Sequence, residues 1–167
     1  GCRAALLRLT KQTALTQRLS PGATSHRRRQ EWPSEDAVLQ HFAAKPVFAS
    51  WHPDALRDYI RHGTELSPSL ELPLRRTLAF DRDIETAIYN TLPDNLDLWL
   101  RQHPLQVPAA MIGGSRSREL RQVGMGTPRR ITQGRIYLLD GGTHLFPLEQ
   151  PEQTASLVSR ALAELQH

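Results

Sequence analysis

Apolar residues recur three and four positions apart along most of this chain and close up into short continuous runs in two places, which predicts many helices around a little buried sheet. Ser34 precedes Glu35 and Asp36 and then Val38, Leu39 and Phe42, a capped and charge-matched helix start with a buried stripe, ended by Pro46. A second helix begins at Pro53, turns Leu56, Tyr59 and Ile60 inward and closes at Gly63. Asp81 to Thr91, with Ile84, Ala87 and Ile88, and Asp94 to Leu100, with Leu96 and Trp99, read as two more helices separated by Pro93. That makes four helices in a row with no strand between them. Upstream, Gly1 to Leu9 has the look of a helix without a cap, and Thr10 to Ser25 is polar with no clean apolar run.

The two continuous runs differ from this. Val107 to Gly114 is apolar and ends in glycines, which predicts a strand buried on both faces. Ser115 to Val123 follows as a helix and Met125-Gly126-Thr127-Pro128 as a loop. Arg135-Ile136-Tyr137-Leu138-Leu139 is the second run, and Gly141-Gly142 stops it abruptly. His144 is thereby placed on a loop at a strand end. From Pro151 a last helix carries Leu157, Val158, Ala161, Leu162 and Leu165 at helical spacing.

Composition narrows the classes only modestly. The 167 residues suit one domain with a real core, and 21 basic against 17 acidic residues leave a net charge of +4. Almost all the positive charge is arginine, gathered at Arg27-Arg28-Arg29, Arg75-Arg76 and Arg129-Arg130, with no aromatic residues interleaved, so nucleic-acid binding is disfavoured. Cys2 is the single cysteine, which fits a reducing compartment, and no apolar run approaches the ~20 residues of a membrane span, so the expectation is a cytoplasmic protein with no membrane contact. No zinc-type Cys/His spacing, phosphate-binding glycine motif or repeat is present, and neither a metal nor a cofactor is expected.

His144 is the candidate for chemistry, because an imidazole held on a loop changes charge near neutral pH and suits a general base. Gly141-Gly142-Thr143-His144-Leu145-Phe146-Pro147-Leu148-Glu149-Gln150-Pro151-Glu152 resembles the closing catalytic-histidine segment of the α/β-hydrolase superfamily. The resemblance implies that His144 activates a nucleophile borne on a G-x-S-x-G elbow, and no such motif occurs in these residues. Gly1 and the Ala4-Ala5-Leu6-Leu7 string are similar to what trails that elbow. In the same family the Val107 to Gly114 run leads to the triad's acid, and counting from Pro108 that position falls on Ser117. Ser117 cannot carry the charge. Glu119 is the nearest carboxylate and is named as its substitute, the plain alternative being an exposed helix residue paired with Arg116, Arg118 or Arg121.

Arg27-Arg28-Arg29 through Trp32, Lys45-Pro46, Phe48, Trp51-His52-Pro53 and Tyr59 is similar to the helical cap of small-molecule α/β-hydrolases, which makes Phe48 and Trp51 candidate substrate-binding walls. The implied fold class is α/β: a partial α/β-hydrolase fold with a helical cap, the last parallel strands and the C-terminal helix. Residues 1–26 would be the remnant after the elbow, 27–103 the cap region and 104–167 the end of the core. The implied partner is a small molecule with an ester, amide or epoxide bond, cleaved through a nucleophile, His144 and an acid, with no activity expected without the attacker. Two other readings stay open. One is a non-catalytic interaction module that self-associates through an open sheet edge, and the other a basic RNA-binding domain.

Overall fold

The computed structural model describes residues 21–67, 74–91 and 95–166, so the helix expected over Gly1–Leu9 and the Pro93–Asp94 junction lie outside it. In chain order the elements are α1 (Pro21–His26), β1 (Glu31–Trp32), α2 (Glu35–Ala43), α3 (Pro46–Ala49), α4 (Pro53–Gly63), β2 (Thr64–Leu66), β3 (Arg76–Leu78) and α5 (Arg82–Asn90). They continue with α6 (Leu96–Gln102), β4 (Met111–Gly114), α7 (Arg118–Val123), α8 (Gly126–Thr132), β5 (Ile136–Leu139), α9 (Phe146–Glu149) and α10 (Pro151–Leu165). The chain divides into two units, one from Gly1–Lys45 and Arg57–Asn95 and one from Pro46–Leu56 and Leu96–His167, with the division falling inside α4. Among the described residues no helix is long and apolar enough to cross a membrane.

In the first unit, Ser34 caps α2 as expected by accepting the Ala37 N–H at 3.2 Å. Val38 and Phe42 are buried, whereas Leu39 is partly exposed. Trp32 and Phe42 share the centre, their ring centroids 5.7 Å apart, and Tyr59 meets Phe42 edge-on at 5.3 Å. The expectation of helices without strands fails here. β3 pairs antiparallel with both β1 and β2, giving a three-stranded sheet in the order β1-β3-β2. Strands of two and three residues are too short for alternation to stand out in the sequence.

The apolar stripe of α5 is turned outward. Ile84 and Ile88 face solvent at 61% and 58% exposure, and the polar side packs inward. Its cause is Glu85, which accepts from the buried Ser25 hydroxyl at 2.5 Å and pairs with Arg28 at 3.1 Å, tying α5 to α1 and the turn after it. A half-buried carboxylate with two such partners outweighs a stripe of two isoleucines. The arginine runs are largely spoken for in the same way: Arg75 pairs with Glu31, and Arg76 with Glu35 and the Thr64 hydroxyl.

His41 stands edge-on to Trp32, ring centroids 5.5 Å apart, with its Nε2 buried and without a hydrogen-bond partner. Burial first, then the nearby charges of Lys45 and Arg29, hold its pKa below the ordinary 6.5, and no carboxylate is among the groups acting on it. The folded chain therefore takes up this proton less readily than the unfolded one. Its share of stability is complete above pH 6.5 and is lost as pH falls below that value through the folded pKa. Urea unfolding at pH 8 and pH 5 is expected to show a smaller acid loss for His41→Gln than for the parent, and equal losses would remove this account.

In the second unit β4 and β5 run parallel, Met111 opposite Ile136 and Gly114 opposite Leu139. The strand expected from Val107 is only Met111–Gly114, since Pro108 has no N–H to give a ladder, and within it Gly113 and Gly114 are buried while Met111 and Ile112 are half-buried. The predicted Met125–Pro128 loop is instead the start of α8, whose first turn accommodates Pro128 without losing an N–H bond. Pro46 likewise opens α3, while α2 ends at Ala43. Asp97 on α6 binds α8 through the Thr127 hydroxyl and Arg130 (2.6 Å) and reaches Arg101 at 2.9 Å. Those contacts, the Thr127 bond foremost, hold its carboxyl far below the usual range.

Candidate active site

Both parallel strands end on glycine-loosened turns, and these turns are laced together. Gly141 takes φ of +70°, and the backbone then crosses directly over Gly114. A methyl group at Gly114 would lie 2.1 Å from the Thr143 carbonyl oxygen and 2.3 Å from that of Gly142, so only a residue without Cβ lets the two turns touch. Arg116 N–H donates to Gly142 O at 2.9 Å, Ser115 N–H to Leu139 O at 2.9 Å, and Gly141 N–H to Ser115 Oγ at 2.9 Å. The loop after β5 is thus fixed to the loop after β4, and His144 rides on it.

Ser117 serves as the cap of α7, which begins at Arg118 rather than Ser115. Its buried Oγ accepts the Leu120 N–H at 3.1 Å and donates to Glu119 Oε2 at 3.1 Å. The Ser117 hydroxyl therefore orients the next carboxylate. Glu119 Oε2 in turn lies 3.9 Å from His144 Nδ1, with side chains 55% and 64% exposed. Its own backbone N–H is the chief influence lowering its pKa, helped by Ser117, His144 and Arg118 against partial desolvation. It is a carboxylate at neutral pH, positioned near the imidazole, in a setting where water screens their attraction.

Beside this pair is an open cavity of about 260 Å³ with apolar walls from Met111, Ile112, Leu120, Val123 and Phe146, and with Ser117, Glu119 and His144 among its lining. The sequence reading singled out none of these apolar walls; Phe146, two residues beyond His144 on a loop, was the available signal. Phe48 and Trp51 are not among the lining residues. They meet each other at 4.6 Å between ring centroids, on a segment joined to the histidine loop by His52 N–H to Leu148 O (2.8 Å) and Ser50 Oγ to Glu149 (3.1 Å).

A larger cavity, about 420 Å³, opens where the same strands begin, between residues 104–109 and Arg130, Ile131, Gln133 and Arg135. It holds no acid–base pair, and α/β sheets bind their ligands at the carboxyl ends of strands, which favours the smaller one. Among the described residues no group of histidines, cysteines and carboxylates is arranged to hold a metal.

No protein-family model and no curated protein matches this chain. Among solved structures, the peroxisomal alpha-beta-hydrolase Lpx1 from Saccharomyces cerevisiae is similar to it, with a TM-score of 0.58 and 14% sequence identity, over 81% of this chain and 36% of the other. The chain thus spans a little over a third of that protein's length, and the likeness shows an α/β-hydrolase-like fold.

Proposed function

We propose that this chain supplies the base and the carboxylate of a hydrolase site acting on an ester, amide or epoxide bond of a small molecule with an apolar substituent. The observation that carries the reading is the meeting of His144 and Glu119, each from the turn beyond a parallel strand, at the mouth of an apolar cavity. With Nδ1 turned to Glu119, Nε2 is the nitrogen left to take a proton from a nucleophile, and the carboxylate favours the imidazolium that forms. Leu120, Val123 and Phe146 take the substrate's apolar part, with Phe48 and Trp51, on the Pro46–Leu56 segment of the same unit, as a further aromatic contribution.

The attacker, a serine or carboxylate on a G-x-S-x-G type elbow, has no counterpart in these 167 residues. The chain alone is accordingly expected to hydrolyse p-nitrophenyl butyrate at background rate. Fusion to an upstream segment bearing an elbow is expected to give turnover that His144→Ala abolishes, and turnover that survives this substitution would overturn the assignment.

The sheet favours a second reading. Among the described residues β4 and β5 have only each other as strand neighbours, which leaves an unpaired edge on either side, with Leu138 and Val107 exposed nearby. A non-catalytic module of this kind would dimerise through such an edge, and light scattering is expected to show a concentration-dependent dimer. A monodisperse monomer at high concentration sinks it.

A further inference from the structure

The loop that carries His144 is closed by a carboxylate for which the proposed chemistry has no use. Glu149, at the end of α9, accepts the Thr143 N–H on Oε2 at 3.0 Å and the Thr143 hydroxyl on Oε1 at 2.7 Å. Thr143 Oγ1 in turn accepts the Leu145 N–H at 3.1 Å. Both backbone neighbours of His144 are therefore tied, directly or through one hydroxyl, to a single side chain. The same Oε1 accepts the Ser50 hydroxyl at 3.1 Å, so the carboxylate is shared with the segment that holds Phe48 and Trp51. Partial burial pushes the Glu149 carboxyl up, but the bonds from Thr143 and Ser50 outweigh it and hold it below the usual range, so the clip is charged at neutral pH.

The need for a clip follows from what precedes it. The stitches from the turn after β4 hold the loop only as far as Gly142, one residue short of Thr143, and the 3.9 Å approach of the ring to Glu119 is too long for a hydrogen bond to aim it. Orientation of the imidazole must then come from the backbone on either side. We propose that Glu149 is the positioning residue for His144, closing the Thr143–Leu145 turn so that the ring faces Glu119 and the cavity, and linking that orientation through Ser50 to the Pro46–Leu56 segment. This rests on the reading of His144 as the base. A carboxylate suits the task because each of its oxygens accepts. A glutamine keeps one acceptor and turns an N–H₂ towards a donor, so it gives an intermediate clip.

The test uses the full chain and needs no turnover. Amide exchange at Thr143 is expected to be at least roughly 10-fold faster in Glu149→Ala, as follows from losing a charge-assisted bond, and less so in Glu149→Gln. The second measurement is the Glu119 carboxyl titration followed by carbon NMR, which senses His144 as a neighbouring charge. Glu149→Ala is expected to move that titration upward as far as His144→Ala does, and the double variant to move it no further. A lowered urea midpoint with an unmoved Glu119 titration would reduce Glu149 to a structural residue and overturn the proposal. Should Glu149→Ala fail to fold, Glu149→Gln carries the same two readouts, and parent-like values in both overturn it equally. The two ideas fail separately. These shifts in a protein whose elbow fusion shows no turnover would sink the reaction and leave the clip, while His144-dependent turnover with unmoved shifts would do the reverse.

Discussion

Gly114→Ala is expected to lower the stability of the chain by about 3 kcal/mol, the upper range for forcing atoms into a filled space. The added methyl would sit 2.1 and 2.3 Å from two backbone oxygens and 2.6 Å from the Gly142 carbonyl carbon. A flexible side chain could turn away. These atoms cannot, since Gly142 O is held by the Arg116 N–H and lies one residue beyond the turn that ends β5. Relief requires lifting the whole loop, which breaks that bond and carries His144 away from Glu119. Two other glycines serve as controls. Gly113→Ala would meet only side-chain ends, Leu120 Cδ2 at 3.1 Å and Leu138 Cδ2 at 3.5 Å, and Gly126 has nothing within 4 Å. Gly113→Ala is therefore expected to be mild, and Gly126→Ala, in the first turn of α8, neutral or slightly stabilising. Urea unfolding of the three variants decides the matter, and a Gly114→Ala midpoint equal to that of Gly113→Ala would refute the close crossing.

Phe42→Ala is expected to cost about 3–5 kcal/mol, a large part of the stability of a domain this size. The ring is 1% exposed and is surrounded by Trp32, His41 and Tyr59, with the Lys45 ammonium 4.9 Å above its face. Removing it leaves a cavity that three rigid rings cannot collapse to fill. Phe42→Leu keeps most of the volume and is expected to cost under about 1.5 kcal/mol. Near-ultraviolet dichroism and the urea midpoint together check both values. A loss from Phe42→Ala no larger than that from Phe42→Leu would mean that the aromatic cluster is not the centre of its unit.

Much of this architecture could be read from the sequence because the signals were local. Ser34 with Glu35 and Asp36, Pro53 with Gly63, and the Gly141-Gly142 stop each act within one turn of chain, and each marks an element where the structure has one. What escaped depended on partners distant in sequence. Ile84 and Ile88 form a good helical stripe, yet Ser25, sixty positions earlier, decides which face of α5 goes inward. β1, β2 and β3 exist only as a set, and none of them reads as a strand alone. Pro128 looked like a loop residue because the helix start it fits carries no capping side chain.

The site divides along the same line. His144 was visible as a motif residue, and Glu119 only as a nearby charge; the Ser117 hydroxyl that turns Glu119 was visible only as the absence of an expected acid. Leu120, Val123 and Phe146 become cavity walls only once two strands stand in register.

The crossing of the two turns also fixes how this region can change in length. An extra residue between Gly114 and Ser117 would rotate every position of α7 by about 100° relative to the strand, carrying Glu119 off the face it shares with His144. An insertion between Gly141 and His144 would unseat Gly142 from Arg116. Neither turn can grow by itself, so insertions have to go to the opposite end of the strands, among residues 104–109, where Gln106 Nε2 donates within the segment to Pro104 O.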